Sequence, residues 1–317
     1  MNATSIREIL SPEEIRSLTR RSNAVGFLAI GSTWAIVAGA LALVARFPNP
    51  WVFALAVVVV GGRQLAFAIL MHEAAHRTLF ESTLLNDVVA DFLCARPIGN
   101  DVARYKRHHL RHHTHTGTEE NPDLGLVTPF PTTRRSLARK FARDLLGATG
   151  LKHFIGQWLI DCEVLEYTVS TGVRKKPRGD RTALDYLRAG ARNGGGFVLT
   201  NLALLGILAA TGHAWLYWVW AVSYLTTFHL FVRIRSLAEH ACTERSEDPF
   251  RNTRTTRAGL LARATVAPIR VNYHLEHHLL VAVPYFRLPA CHALLRERGA
   301  VPEAPGYLDV LRTVSAR

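Results

Sequence analysis

The sequence has little cysteine. Its 317 residues include only four cysteines, Cys94, Cys162, Cys242 and Cys291, which lie far apart and form no C-x-x-C pair. A disulfide framework in a small protein needs many paired cysteines, and a thiolate metal site needs cysteines that a short loop brings together. The cysteines therefore indicate neither kind of site.

Acidic residues are also scarce, with 25 Asp and Glu against 38 Lys and Arg and a formal net charge of +13. An excess of positive charge is compatible with a nucleic-acid partner, but its distribution argues against one. Nineteen of the basic residues fall between Arg77 and Arg192 and thirteen from Arg233 onward, and no ladder of aromatic and basic residues suggests base stacking. We expect no nucleic acid, and we expect the basic residues to face anionic lipid headgroups or an acidic carrier on the substrate.

Long apolar runs are abundant, and hydrophobic residues make up 49% of the sequence. A membrane-spanning helix needs roughly 20 mostly apolar residues. Four segments have this character, of which the third is the shortest: 25–45, 51–71, 195–212 and 214–234. They predict an all-α integral membrane protein with four transmembrane helices in two hairpins.

The positive charge orients these predicted spans. With four spans, residues 1–24, 72–194 and 235–317 share one side of the membrane, and the basic residues concentrated there identify that side as the cytoplasm. We therefore expect one membrane domain over residues 1–317, in the cell (inner) membrane, with a cytoplasmic arm and a helical cap. A cleaved signal peptide is not expected, because the first apolar run starts late and acidic residues precede it. Ser11-Pro12-Glu13-Glu14 predicts the start of a helix within the arm.

Histidine is plentiful, with 15 residues, and its placement is not random. His72-Glu73-Ala74-Ala75-His76 spells H-E-x-x-H, the zinc-protease signature. The pattern H-x-x-H-H occurs twice, at His109, His112 and His113 and at His274, His277 and His278. Residues three and four apart share one face of a helix, so each cluster aims its imidazoles at one point.

All of these clusters are predicted to lie on the cytoplasmic side. His72 follows the second span by one residue, and His240 follows the fourth by six. The four segments together supply nine candidate ligands, whereas one zinc ion takes three or four protein ligands. Nine imidazoles therefore indicate two metal ions, and neutral imidazole suits iron, zinc, copper and nickel.

In their order and spacing, these motifs resemble the histidine boxes of the membrane fatty acid desaturase and hydroxylase superfamily. Thr116 and Asn121-Pro122-Asp123 also resemble the Thr and Asp-Pro-Asp that often follow the second box, with Asn121 in place of the first Asp. The resemblance covers about residues 50 to 290. It implies two hairpins under a cytoplasmic cap and a di-iron centre held by the eight box histidines, with His240 as an extra ligand.

The resemblance also implies the chemistry. The expected activity is the O2-dependent oxidation of a long-chain fatty acyl substrate, most simply the introduction of a double bond in lipid metabolism, with two iron ions as cofactor. The acyl group would be carried by a lipid, by coenzyme A or by an acyl carrier protein. Because no electron-carrier domain is fused to the chain, electrons are expected from a separate ferredoxin, rubredoxin or cytochrome b5-like protein. Soluble di-iron enzymes use several Glu-x-x-His pairs, and Glu73-x-x-His76 is the only such pair here.

Four acidic residues are candidates for a supporting role. A metal-bound histidine usually donates its other N–H group to a carboxylate or a carbonyl. Glu73, Asp91, Glu239 and Glu276 lie near the histidine clusters or on a predicted helix beside them. We expect them to orient imidazoles rather than to bind metal, and the alternative for each is a structural or solvated role.

Three other functions fit parts of the pattern. A lipid or acyl hydroxylase, or another oxidase, would use the same ligands. An intramembrane zinc protease would use His72, His76 and Glu73, with Glu73 as the general base, and would leave both H-x-x-H-H clusters without a role. A metal transporter or sensor would favour ionisable residues along the spans, whereas nearly all candidate ligands here lie at the span ends.

Overall fold

The computed structural model of the chain describes residues 6–170 and 172–317, and this part is helical. Extended pairing in it is limited to the isolated bridges Thr133–Ala316, Leu165–Lys175 and Arg257–Gly306. The expected all-α class is therefore confirmed. The α-helices of the described residues are α1 Ile6–Ile9, α2 Pro12–Leu18, α3 Asn23–Arg46, α4 Pro50–Ala75, α5 Val102–His115, α6 Leu124–Val127, α7 Arg134–Leu145, α8 Ala148–Asp161, α9 Ala183–Ala210, α10 Tyr217–Leu225, α11 Thr227–His240, α12 Pro249–Asn252, α13 Leu260–Ala264, α14 His274–Leu279, α15 Leu288–Glu297 and α16 Tyr307–Val314.

Shorter turns connect these helices. Two of them are π-helical, at Leu85–Val89 and Asp91–Ala95, and lead into a 3₁₀ turn at Arg96–Ile98. Further 3₁₀ turns occur at Ala214–Leu216, Pro268–Arg270 and Tyr285–Arg287.

Helices α3 and α4 form the first hairpin. Ser22 accepts a hydrogen bond from the N–H of Val25 at the start of α3, and Asn49 caps α4 through the N–H groups of Trp51 and Val52. With 24 and 26 residues and a rise of about 1.5 Å per residue, each helix exceeds the roughly 30 Å of a bilayer's hydrocarbon core. Both are long and apolar enough to cross a membrane, as the sequence predicts.

Helix α9 is the third helix of the described residues that is long and apolar enough to span a membrane. It begins at Ala183, well before the start at residue 195 predicted from hydropathy, and ends at Ala210. Thr182 and Asp185 form a capping box that fixes the earlier start. The polar first turns of α9 therefore belong to the same helix as its apolar part.

The fourth predicted span, 214–234, is not one continuous helix. After a 3₁₀ turn, α10 and α11 meet at Thr226, whose φ and ψ of −119° and −88° are not helical. The Thr226 hydroxyl donates to the carbonyl of Val222 at 2.6 Å, and the Thr227 hydroxyl donates to the carbonyl of Val57 on α4 at 2.8 Å. Threonine side chains that bond to backbone carbonyls in this way bend helices. Three helices, not four, therefore meet the length and hydropathy requirements for a span in the described residues.

The contact between α4 and α11 depends on a small residue. A Cβ atom at Gly61 would lie 2.1 Å from the Thr227 hydroxyl oxygen, so a side chain at this position would push the helices apart. Helix α4 also packs on α3, α5 and α10. It is thus the central element of the fold, and its last turn carries His72.

The N-terminal arm is folded onto the C-terminal part of the chain. Helix α2 begins where the sequence predicts a helix start, and it begins with a capping box in which Ser11 and Glu14 exchange side-chain and backbone hydrogen bonds. Leu10 and Leu18 pack in one apolar cluster with Leu288 and Leu295 of α15, and this cluster includes Leu275 of α14. The arm therefore supports one of the helices that carry an H-x-x-H-H pattern.

Candidate metal centre

The first pair of histidines lies at the end of α4. His72 is in the last turn of this helix, and His76 is the residue that ends it. Their ring centroids are 4.9 Å apart, as expected for two side chains one helical turn apart. Leu70, Met71, Ala74 and Ala75 are all buried, so the helix end itself is held in the core.

Helix α5 contributes three imidazoles and divides them between two directions. Asp101 caps its start by accepting a hydrogen bond from the N–H of Arg104 at 2.7 Å. His109 and His113 stand four apart and approach each other to 3.0 Å between their Nε2 atoms. His112 lies between them in sequence and approaches His240 and His278 instead, with ring centroids 5.0 and 5.3 Å away.

The short helix α14 divides its imidazoles in the same manner, so the prediction that each H-x-x-H-H cluster aims at one point is wrong for both clusters. Nε2 of His277 lies 3.0 Å from Nε2 of His113. Nε2 of His274 lies 2.9 Å from Nε2 of His240, which is the last residue of α11, and 3.2 Å from Nε2 of His278. All nine histidines singled out in the sequence thus come together.

They form two adjacent sets, and in each set one ring nitrogen per residue lies within 4.8 Å of all the others. The five-histidine group consists of His72, His76, His109, His113 and His277. The four-histidine group consists of His112, His240, His274 and His278. The rings of His113 and His278 stack at 4.2 Å, so the two groups share a boundary.

The spacing of the nitrogens suits a bound cation. Two nitrogens that each lie about 2.0–2.1 Å from one ion are separated by roughly 3.0–3.4 Å, and the four Nε2–Nε2 distances in the two groups run from 2.9 to 3.2 Å. Both ring nitrogens of His72 and Nε2 of His76 are buried without a hydrogen-bond partner in the described residues. An unpaired buried polar atom costs about 1–3 kcal/mol, and a metal ion removes that penalty.

Burial keeps these imidazoles in the form that binds metal. Removal from water, followed by repulsion from neighbouring imidazoles, lowers the pKa values of His109, His274, His277 and His278 well below the ordinary range. The same causes lower the pKa of His113 to about 2. At neutral pH these rings are uncharged, and neutral imidazole is the ligating form.

Hydrogen bonds hold the rings of the four-histidine group from behind. Nδ1 of His112 lies 3.0 Å from the side-chain oxygen of Asn121, and Nδ1 of His240 lies 3.1 Å from the backbone carbonyl oxygen of Asn252. Nδ1 of His274 lies 3.6 Å from Glu239, which is paired with Arg235 at 2.6 Å. Glu239 is thus too far from Nδ1 of His274 for a hydrogen bond. With the Nδ1 atoms of His112 and His240 occupied, Nε2 of His240 faces the centre of the group, 2.9 Å from Nε2 of His274.

The acidic residues predicted to support the ligands occupy different positions. Glu239 lies beside His274, and Oε1 of Glu73 is 3.6 Å from Nδ1 of His72. Glu276 accepts hydrogen bonds from Thr255 and from His292, the latter at 2.6 Å.

Asp91 is placed differently from the other three. It accepts from Arg96 at 2.7 Å and from the N–H of Val102 at 2.8 Å. Its contacts in the described residues are with these groups and not with an imidazole. Asp91 therefore stabilises the segment that leads into α5 and does not orient a candidate ligand.

Three residues near the imidazoles have no supporting role predicted from the sequence: Asn121, Asp123 and Asn252. Asp123 lies 2.8 Å from Nε2 of His108 and 3.5 Å from Nδ1 of His112. Asn121 and Asp123 belong to the Asn-Pro-Asp segment that resembles a family pattern, and that resemblance is the available signal for them. Asn252 acts through its backbone carbonyl, for which a sequence carries no side-chain signal.

A cavity of about 240 Å³ adjoins both groups. His109, His112, His240 and His274 line it on one side. Apolar residues of α4 and α11, among them Leu65 and Phe228, line it further away. The cavity thus brings apolar side chains and imidazoles to the same enclosed space.

Comparison with known proteins agrees with this arrangement. Residues 48–309 match the fatty acid desaturase family. Dihydrorhizobitoxine desaturase of Bradyrhizobium elkanii is 27% identical over 302 residues, which cover 92% of this chain and 79% of that protein. The segment that matches the family contains all nine histidines of the two groups.

Proposed function

The chain belongs to the fatty acid desaturase family, and from that premise we propose that it is an O2-dependent oxidoreductase that holds two iron ions and introduces a double bond into a long-chain fatty acyl substrate. The observation that carries the proposal is the pair of adjacent histidine groups at one end of a partly apolar cavity. Two groups of four and five imidazoles exceed what one zinc ion uses. Imidazole is a good ligand for iron, and two neighbouring sites suit the activation of O2.

Each group would hold one ion. The five-histidine group would bind one through the end of α4, α5 and α14, and the four-histidine group would bind the other through α5, the end of α11 and α14. When bound, the two ions supply the capacity to activate O2 for attack on an unactivated C–H bond. The chain itself fixes the ligand geometry, keeps the imidazoles neutral and separates the acyl chain from water.

The overall reaction balances with a separate reductant. One O2, two electrons from a donor, two protons and the two hydrogens removed from the substrate give two molecules of water and one double bond. A ferredoxin, a rubredoxin or a cytochrome b5-like protein is the class of donor that supplies such electrons. The acyl group is carried by a membrane lipid, by coenzyme A or by an acyl carrier protein.

The three apolar helices and the family make this an integral membrane protein. We further infer that α10 and α11 together make a fourth crossing, bent at Thr226. The arm, the cap formed by residues 72–194 and 235–317, and the histidine groups then lie on the cytoplasmic side of the cell membrane. The distribution of Lys and Arg supports this orientation.

The zinc-protease alternative fits the structure poorly. As a general base, Glu73 would need a free carboxylate facing a metal-bound water. Its Oε2 atom instead accepts hydrogen bonds from the Thr78 hydroxyl at 2.8 Å and from the N–H of Tyr285 at 2.9 Å. Hydroxylation of the same acyl substrate is the second candidate function, because it would use the same ligands and the same cavity.

Metal analysis of the purified protein tests the proposal directly. Two iron ions per chain are expected, and a single zinc ion per chain would overturn the proposal. Mass spectrometry of host lipids then separates the two oxidations, because desaturation removes two hydrogens and hydroxylation adds one oxygen. Wild-type protein with two irons that leaves every lipid unchanged would also contradict it.

A further inference from the structure

One face of α11 forms a continuous wall of the cavity. His229, Arg233, Ser236 and His240 follow one another at spacings of four, three and four residues, and all four line the cavity. Eleven residues are close to three helical turns, so the first and last of them share a face about 16 Å apart along the helix axis. His240 belongs to the four-histidine group, and His229 therefore marks a second, distant part of the same cavity.

His229 has unsatisfied hydrogen-bonding capacity there. Its side chain is 8% exposed, and its Nε2 atom is buried without a hydrogen-bond partner in the described residues. The ring of His153 on α8 stacks on it, with centroids 4.8 Å apart and an interplanar angle of 29°. A buried nitrogen without a partner in a cavity wall calls for a polar group from a ligand.

His153 also indicates where the cavity opens. Of the residues that line the cavity, all of which lie in the described part of the chain, it alone is exposed. On the same helix, Leu151, Ile155 and Leu159 are exposed to the surroundings at 53%, 53% and 40%. Such an apolar outer face suits the boundary between lipid headgroups and acyl chains. The opening beside α8 is thus placed where a membrane-embedded amphiphile can enter.

The surroundings of the pair favour an oxygen-bearing group. Thr149 and Gln157 lie one helical turn before and after His153 on α8, and both line the cavity. Asp144 is already paired with Arg233, at 2.5 Å, and accepts from Thr149 at 2.6 Å. The negative charge of Asp144 is thereby neutralised, and the two imidazoles can donate to a carbonyl or carboxylate oxygen.

We propose that His153 and His229 form a head-group subsite, which binds the acyl oxygen of a substrate that enters beside α8 while its chain extends along α11 to the histidine groups. This proposal rests on the proposed oxidase function. The carbonyl of an ester or the carboxylate of a free acid meets the requirement, and both present the same oxygen. The pair acts as a positioning element, because it fixes one end of the chain and touches no reacting carbon.

Such a subsite would determine which carbon of the acyl chain is oxidised by its distance from the head group. An extended chain advances about 1.2 Å per bond, as the protein backbone does, so about 16 Å corresponds to roughly ten to fourteen bonds. The oxidised carbon is then set by its distance from the acyl oxygen. Lengthening or shortening the acyl chain at its methyl end should therefore leave the oxidised position unchanged when it is counted from the carboxyl end.

The test is to feed two saturated fatty acids that differ by two methylene groups to a host without its own desaturase that expresses this chain. Mass spectrometry of the total fatty acids locates the new double bond or oxygen, whatever the carrier. We expect the same position in both products when counted from the carboxyl end. Positions that agree only when counted from the methyl end would overturn the subsite and leave the oxidase function standing.

Variants of the pair sharpen this result. His229→Leu and the exposed His153→Leu should each lower product yield by about 3- to 10-fold, the worth of one hydrogen bond, and should spread the product over neighbouring positions. His229→Gln keeps a donor and an acceptor and should restore most of the positional selectivity. His213→Leu, outside the cavity in the turn before α10, is the matched control and should match the wild type.

Protein level and iron content are measured for every variant. A variant that accumulates with normal iron but keeps the wild-type product position and yield would contradict the subsite. If the iron-loaded wild-type protein oxidises neither of the two fatty acids, both the oxidase function and the subsite are wrong.

Discussion

The five-histidine group and the four-histidine group lie side by side but are held in position by different contacts. In the five-histidine group, His72 and His76 belong to the end of a 26-residue helix whose last turns are buried. In the four-histidine group, His240 ends α11 and His274 begins the six-residue helix α14. Side chains at the ends of short elements need additional contacts to fix their direction.

The hydrogen bonds of the two groups reflect this difference. His112 and His240 use their Nδ1 atoms on Asn121 and on the carbonyl of Asn252. His72 has Glu73 no nearer than 3.6 Å, and neither of its ring nitrogens makes a hydrogen bond in the described residues. Packing therefore orients one group, whereas hydrogen bonds orient the other, and substitutions outside the ligand sets should affect the two groups unequally.

The largest effect is expected from removing a proposed ligand in the four-histidine group. His112→Ala leaves that group with three imidazoles, and we expect activity to fall at least about 100-fold, beyond the range typical for a supporting residue. Elemental analysis should show the loss of about one iron ion per chain. His115→Ala, at the end of the same helix, is the control and should keep both ions. Full turnover by His112→Ala would show that the second histidine box does not supply ligands.

The next largest effect is expected from a residue behind the four-histidine group. Asn121→Ala removes the acceptor for His112, and losses of such partners typically reduce metal affinity about 10- to 100-fold. Competition with a chelator during metal release measures this affinity. Asn121→Asp keeps an acceptor oxygen and should remain near the wild type. Equal iron retention by the wild type and Asn121→Ala would mean that hydrogen bonds do not orient this group.

A smaller effect is expected behind the five-histidine group. Glu73→Gln retains an oxygen that can accept from Thr78 and Tyr285, and α4 still positions His72, so activity should fall less than about 10-fold. Product yield at equal protein and iron levels measures the change. A loss as large as that of His112→Ala would return Glu73 to a direct chemical role and would remove the contrast between the two groups.

The smallest effect on activity is expected at Asp91, which contacts neither group. Asp91→Asn weakens its bonds to Arg96 and to the N–H of Val102, at an expected cost of about 1–3 kcal/mol in stability. We expect a lower thermal midpoint for the purified protein and an unchanged iron content. Selective loss of one iron ion would instead connect Asp91 to the metal centre.

Sequence periodicity predicts much of the metal centre. The i, i+3 and i+4 spacing brings the box histidines together, and the helical rotation of about 100° per residue accounts for the separation of His112 from His109 and His113. The same rotation separates His277 from His274 and His278. Distances in sequence between the boxes do not show which boxes contribute to the same histidine group, because the packing of α5 against α4 and α14 decides that.

Other features lie beyond what periodicity can show. Hydropathy predicts an apolar segment up to residue 234 but not the bend at Thr226, because the bend depends on where threonine hydroxyls find carbonyl acceptors. The early start of α9 depends on a cap formed by two side chains and not on apolar content. The backbone carbonyl of Asn252 reaches His240 through a loop whose path no local pattern describes.

The packing of the N-terminal arm on α15 has a consequence for how the protein is made. Arg298 bonds to Glu14 and to the carbonyl of Ile9, and Arg287 donates to the carbonyl of Arg20 at 3.0 Å. The arm is thus synthesised about half a minute before its contact residues near the C-terminus, at a synthesis rate of roughly 5–20 residues per second. His274, His277 and His278 emerge in that same late interval. Both histidine groups therefore stay incomplete until α14 has been made, and the contacts of the arm with α15 become possible in the same late interval.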